Sequence, residues 1–436
     1  SNLFEDRSER VAAISDEAIL DWIGQDNYSA LPGRLREVGF KGWIPDLADL
    51  EKGAAAFDEY GLAKDGSHWV AFNYKPLPST FWPTNGSTDD VMIRLAEVFR
   101  SREDGSYSLD VYRANLAIVE ARVKGLPEIS TLPIDEKIVG RDLDGDGRQQ
   151  VVTRISAVDQ YVGAAQWEFS APYLFPQGTE FLHTVRYVGV GDDGSIGVSP
   201  RMKEVRYMKK WRWYPQRSYE REYELENINK ERGKLPGYTY LQDNGLDNGF
   251  GWSIQGFIEG SDGELRTASF EENLFCMGCH TSIGSTIDKT FSFPRKVDGA
   301  AGWGYINLRG MPDAPNRGET DGEIATYLER VGGGGEFRSN PEMLERWFNA
   351  DGSVNKARVS AARDVYELIA PSRERALELN KAYRVIVEDQ DFAFGRDATV
   401  TSPINVYDRV DVETAPTLPA EKFFTWDIRL AWPEQE

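Results

Sequence analysis

Residue type and spacing carry chemistry most clearly at Cys276-Met277-Gly278-Cys279-His280. Two thiols separated by two residues, with histidine directly after the second, match a c-type haem attachment site. Each thiol adds across one vinyl group of the porphyrin, and the next residue swings its imidazole onto the iron. Cys276 and Cys279 are therefore expected to form thioethers, with His280 as an axial ligand. The chain holds 2 cysteines and 3 histidines in all, so this clustering is specific. A zinc site needs about four ligands, and only His68 and His183 remain to supply them. A thioredoxin-like dithiol needs a βαβ context, which the flanking sequence does not suggest. One covalent haem c is the expected cofactor.

With those residues in place, the stretch from 265 to 335 resembles the monohaem c-type cytochromes. Residues 267–279 can form the short helix that leads into the motif in that family. Gly310-Met311-Pro312 looks like the Met-Pro loop that supplies the second axial ligand, and residues 323–331 resemble the terminal helix across the haem edge. The resemblance thus implies iron held by His280 and Met311, although the two are 31 positions apart, a shorter separation than is usual in the family. Met343, Met208, His68 and His183 are the alternatives to Met311. Arg295, Lys296 and Arg309 can pair with haem propionates, and Trp303 and Tyr305 can pack on the ring or donate to a propionate. Phe291 and Phe293 read as pocket lining. A saturated iron points to an electron carrier, or to the electron-accepting subunit of a larger assembly. An open sixth position points instead to a peroxidase- or oxygenase-like haem enzyme.

A second constellation lies at Asp142-Leu143-Asp144-Gly145-Asp146-Gly147. Carboxylates at alternate positions around a forced glycine turn present hard oxygen ligands, which suit Ca2+. Asp142, Asp144 and Asp146 offer side-chain oxygens, Arg148 its backbone carbonyl, and Gln150 a completing group. Thr153 stands where an EF-hand would place its glutamate, and the flanks read as strands. The motif looks more like the DxDGDG calcium turns of β-rich extracellular proteins. An acidic, solvated β-turn is the alternative.

These groups need a scaffold, and 436 residues are enough for two or more cores. Hydrophobic residues at 40% and aromatics at 12% indicate packed globular structure. A net charge of −21 repels nucleic acid and anionic membranes, and favours a redox partner with a basic docking surface. An oligomer is compatible with this surface. No apolar run approaches the roughly 18 residues of a membrane span. Haem attachment at this motif takes place outside the cytoplasm in the family it resembles, so a periplasmic or extracellular location is expected, for a mature chain whose export signal has been removed. Both cysteines are assigned to haem, which leaves none for a disulfide or an N-terminal lipid.

The expected fold class is α+β, with a β-rich N-terminal portion and flanking helices over residues 1–262. An all-α cytochrome c-like haem domain follows over 263–335, then a helical extension and wrapping tail over 336–436. Helical spacing marks residues 9–23 and 108–123, and strands are expected at 69–74, 137–140, 151–155, 181–190 and 204–213. Gly191-Asp192-Asp193-Gly194 is a natural hairpin connection. The Gly-, Asp- and Asn-rich stretch 237–260 reads as the approach to the haem domain, and Gly332-Gly333-Gly334-Gly335 as a flexible break.

Overall fold

A computed structural model describes residues 7–78, 86–232, 234, 237–280, 284–290, 292–331, 340–390 and 427–433, without the side chains of Lys230, Gly278, Cys279 and Val331. Phe291, the glycine run 332–335 and the tail from 391 to 426 lie outside the described residues.

Among the described residues ten strands form: β1 Val70–Ala71, β2 Thr88–Arg94, β3 Ile129–Asp135, β4 Val151–Ile155, β5 Glu180–Val190, β6 Ile196–Lys210, β7 Thr239–Tyr240, β8 Leu246–Asp247, β9 Trp252–Glu259 and β10 Leu265–Thr267. Eight of them make one antiparallel sheet in the order β1-β2-β5-β6-β9-β8-β7, with β10 also on β9, and β3 and β4 form a separate hairpin. The long β5–β6 hairpin turns at Gly191–Gly194, where Gly194 takes φ +78° and the Gly191 N–H donates to the Ser195 carbonyl (2.8 Å).

Cross-strand partners share a face, so the register sorts the sheet into two surfaces. One carries Ile93-Phe181-Met208-Ile254, then Val91-His183-Arg206-Gly256, then Asp89-Val185-Glu204-Ile258. Val91, Ile93, Phe181, Met208 and Ile254 of this face join the largest core cluster, with members of the helix Leu109–Lys124 and of residues 293–369. The opposite face carries Met92, Leu182, Val205, Tyr207 and Phe257, and is covered by residues 28–63, with Trp43 stacked on Tyr207 at 4.2 Å. A third cluster joins the helices Asp16–Gly24 and Arg373–Asp389 to Tyr187 on β5.

The fold class needs correction. The protein is a mixed α+β structure built on this large antiparallel sheet, and the expected all-α cytochrome c-like haem domain is not supported. Residues 252–259, read as an approach segment, are the central strand β9, and Thr267, read as helical, ends β10. Every residue of β9 is buried, so the alternation that marks a half-exposed strand is missing, and Gly256 reads as a breaker. Residues 293–322 form short 3-10 turns and extended chain that bridge Phe72 to Trp303 and Tyr74 to Lys296. Residues 137–140, expected as strand, belong to the short helix Glu136–Val139.

Candidate functional site

The motif lies in the last turns of the helix Phe270–His280. Ser269 and Glu272 form a capping box at its start: Ser269 Oγ accepts from the Glu272 N–H (3.2 Å), and Glu272 Oε2 accepts from the Ser269 N–H (2.8 Å). Asn273 Oδ1 accepts from the Gly256 N–H (2.8 Å), and the Ala268 N–H donates to the Gly256 carbonyl (2.9 Å), which fastens the helix to β9. Glycine keeps this approach close. A Cβ at 256 would stand 3.2 Å from Asn273 Oδ1, 3.5 Å from Ala268 Cβ and 3.7 Å from Cys276 Sγ. Asn273, Cys276, Met277 and His280 are buried, whereas Leu274 and Phe275 face outward.

Positions 276 and 280 are one helical turn apart and share a side. The Cys276 side chain and the His280 ring are both buried, and the Cys279 side chain lies outside what is described. The His280 ring sits over the polar row of the sheet, its centroid 6.5 Å from that of His183 with the planes 59° apart. Burial holds the His280 imidazole well below its usual pKa, with the positive charge of Arg206 and the His183 ring adding to the effect and Glu204 opposing it. It is therefore neutral at physiological pH, the form with a lone pair to give a metal.

His183 Nε2 lies 3.2 Å from Asp89 Oδ2, and the Tyr74 hydroxyl donates to the same oxygen. Arg206 Nη2 pairs with Glu204 Oε2 at 2.6 Å. A cavity of about 20 Å³ separates these groups, lined by Tyr74, Leu77, Asp89, Val91, Phe181, His183, Met208, His280 and Arg295 among others. That is room for about one water. Leu77 is also a wall of a second cavity of about 910 Å³, whose lining includes Tyr173, Tyr223, residues 284–287, Glu323, Tyr327, Arg330 and Arg429.

The other residues singled out in the sequence are distributed differently. Arg295 lines the His280 cavity, but both ends of its guanidinium are engaged by Glu323 (2.8 and 2.6 Å), and it also donates to the carbonyls of Lys75 and Pro76. Lys296 is buried against Glu120. Arg309 stacks on Tyr366 at 3.7 Å. Trp303 packs on Phe293 and under Lys296, and the Tyr305 hydroxyl donates to Asp90. Met311 is buried between Leu308 and Val365, hydrogen-bonded to both through its backbone, and does not line the His280 cavity. Of the alternatives to it, His183 and Met208 line that cavity. Asp89 was missed because only the register of β2 on β5 brings it to the histidine, and Tyr74 because it reaches Asp89 from the segment after β1 that bridges to Lys296.

At the acidic loop, Glu136, Asp142 and Asp144 each offer an oxygen within 4.8 Å of the other two. Glu136 is fully buried and accepts from the N–H groups of Leu143 (2.5 Å) and Gln150 (3.1 Å). Asp142 accepts from the Gly147 and Gly145 N–H groups, which hold its carboxyl below the usual range. Asp146 is turned to the Arg148 N–H and the Gln150 amide. Asp146 is thus outside this group of carboxylates, and Glu136 is the member that sequence reasoning missed.

The profile of a family described as "-like lipoprotein" matches residues 51–367. An uncharacterized lipoprotein of Aquifex aeolicus (strain VF5) is 32% identical over 437 aligned residues, covering 88% of this chain and 72% of its own length. The chain belongs to this lipoprotein family. No solved structure matches it. Assignment to the monohaem c-type cytochromes is corrected by this finding, and with it the label of cytochrome. The matched span contains the whole 265–335 stretch, and neither description speaks of haem or electron transfer. A five-residue motif is local chemistry that can be carried by unrelated folds. As a lipoprotein, the chain is an exported protein. No helix among the described residues of the lipoprotein is long and apolar enough to cross a membrane.

The donor set of the lipoprotein suits covalent haem: a buried thiol and a neutral, buried imidazole one turn apart, with the second cysteine at the required spacing. The 20 Å³ space beside His280 does not hold a porphyrin; the 910 Å³ cavity, which shares Leu77 with it, has the volume of a cofactor site but is lined by neither Cys276 nor His280.

Proposed function

We propose that this lipoprotein is an exported electron-transfer protein carrying one haem, attached through Cys276 and Cys279 with His280 as an axial ligand. One observation carries the reading: Cys276 and His280 stand one turn apart on the buried side of a capped helix anchored to the central sheet. Bound haem supplies one-electron chemistry at the iron. The chain's own part is to keep His280 neutral and shielded from water, and to leave room beside the Cys276 sulfur through the missing side chain at 256. An acidic surface of net charge −21 favours a basic redox partner. The family name supports a place at a membrane surface on the periplasmic or extracellular side. We further assign a calcium ion to Glu136, Asp142 and Asp144, on the chemistry of three carboxylates in reach of one cation.

The experiment is intact-mass measurement on the full chain, produced in a host that attaches haem outside the cytoplasm, after acid–acetone extraction. Protein plus one haem is expected, falling to apo mass in Cys276→Ala/Cys279→Ala. Apo mass for the native chain would sink the reading. The 910 Å³ cavity that shares Leu77 with the His280 site favours a second reading, a haem enzyme with a displaceable sixth ligand. Rapid carbon monoxide binding by the native ferrous protein would select it.

A further inference from the structure

We propose that the 910 Å³ cavity binds a flat organic anion, an aromatic or otherwise planar body ended by a carboxylate, at a site separate from Cys276 and His280. The inference does not depend on the haem reading. The cavity has three walls, each fixed by contacts behind it. The first is residues 284–287 with Tyr173 and Tyr223. The Ile287 N–H donates to the Tyr173 carbonyl (2.8 Å), and the Tyr223 hydroxyl donates to the Ile287 carbonyl (2.9 Å). Thr286 Oγ1 donates to Asp288 Oδ1 (2.7 Å), and Asp288 is in turn buried against Lys210 (2.7 Å). The second wall is the helix Glu323–Val331, which brings Glu323, Thr326, Tyr327 and Arg330 to the cavity at spacings of three and four, one face of the helix. The third is residues 427–429, tied to the body where the Arg317 N–H donates to the Arg429 carbonyl (2.7 Å). A space of this size between braced walls is that of a small-molecule site.

The chemistry of the lining sets the ligand class. Tyr173, Tyr223 and Tyr327 supply rings that hold a planar body by offset or edge-on stacking. Glu323 is engaged by Arg295 (2.8 and 2.6 Å) and Lys75 (3.3 Å), and Asp427 by Arg429 Nε (2.8 Å). Each carboxylate of the described lining thus has its cation within the protein, which leaves neither to attract a cationic ligand. Arg330 brings a guanidinium to the same cavity, and a guanidinium meets a carboxylate through two parallel N–H donors. On the first wall, the Ser285 hydroxyl is buried and has no hydrogen-bond partner among the described residues. A buried hydroxyl left in that state costs free energy that a ligand oxygen recovers. Guanidinium and hydroxyl together favour an anion with oxygen atoms over a neutral ring of the same shape.

The test uses naphthoate and its neutral counterpart naphthalenemethanol as probes, titrated calorimetrically into the full native chain. Naphthoate should bind at one site, and naphthalenemethanol about tenfold more weakly or worse. Arg330→Gln should weaken naphthoate about tenfold, the loss of one charge-assisted contact, and leave naphthalenemethanol unchanged. Tyr327→Ala should weaken both. Naphthoate binding should persist in Cys276→Ala/Cys279→Ala, which takes no haem, so that failure of the haem reading is seen separately from failure of this one. The proposal is overturned by no binding to the native chain at about 1 mM probe, by equal affinity for the two probes, by naphthoate binding that Arg330→Gln leaves untouched, or by its loss in the double cysteine variant. If Arg330→Gln or Tyr327→Ala does not fold, the native chain's preference between the two probes decides.

Discussion

At His280 and at Glu259 one physical cause, burial, acts on two kinds of group. It keeps the imidazole of His280 neutral. At Glu259, the last residue of β9, it pushes the carboxyl up to about 7, while Arg201 Nε (2.6 Å) and the Tyr187 hydroxyl (2.7 Å) hold it back. The folded pKa is then above the ordinary 4.5, so the native state binds this proton more tightly than the unfolded chain. That contribution to stability is fully present below pH 4.5 and is lost as pH rises through about 7. Relative to the native chain, Glu259→Gln should therefore gain stability on going from pH 4.5 to 7.5, by up to roughly 3 kcal/mol at about 1.4 kcal/mol per pKa unit. Urea unfolding at the two pH values checks this, and parallel profiles for the two proteins would show that Glu259 titrates normally.

The helix Phe270–His280 and the β3–β4 hairpin show how an element turns a motif into a site. Capping box, Asn273 and Gly256 together set which side of the helix is buried, and so place Cys276 and His280 against the sheet. In the hairpin, Gly145 and Gly147 take φ +80° and +78°, values that favour glycine. The resulting turn brings Asp142 and Asp144 back to Glu136. An ion bound there only in the folded state stabilises it by mass action. Calcium should raise the melting temperature of the native protein, and Asp144→Ala should remove most of that rise. A native melting curve that ignores both calcium and EDTA would leave the loop an acidic turn.

Across the whole molecule, buried ion pairs join segments far apart in sequence. Glu120, on the helix Leu109–Lys124, meets Lys296 at 2.8 Å and Lys124 at 2.7 Å, and Lys124 reaches Asp298 at 2.7 Å. Lys75 pairs with Asp313 (2.5 Å) and Glu323 (3.3 Å), beside the Arg295–Glu323 pair. Removing one member leaves buried charge without compensation, at a cost of about 3–5 kcal/mol. Glu120→Gln should lower unfolding stability by about that amount, and Lys296→Met in the same chain should restore part of it. Because helix and 293–299 turn share one core, tryptophan fluorescence and far-ultraviolet circular dichroism should report the same single transition. A loss confined to one probe would mean that the segments unfold separately.

The sequence by itself determined what is local. Helix Leu109–Lys124 follows from its apolar spacing, the β5–β6 turn from its glycines, and the CxxCH and DxDGDG motifs from spacing alone. It could not place β9, because a strand buried on both faces loses its alternation and carries a glycine where a helix must pass close. Nor could it rank His183 above Met311 as a neighbour of His280. Proximity in sequence favoured Met311, 31 residues away, whereas strand register brings in His183 from 97 residues upstream. Tertiary structure decided that point, since hydrogen-bonded register is set by the packing of whole faces and not by the distance between residues along the chain.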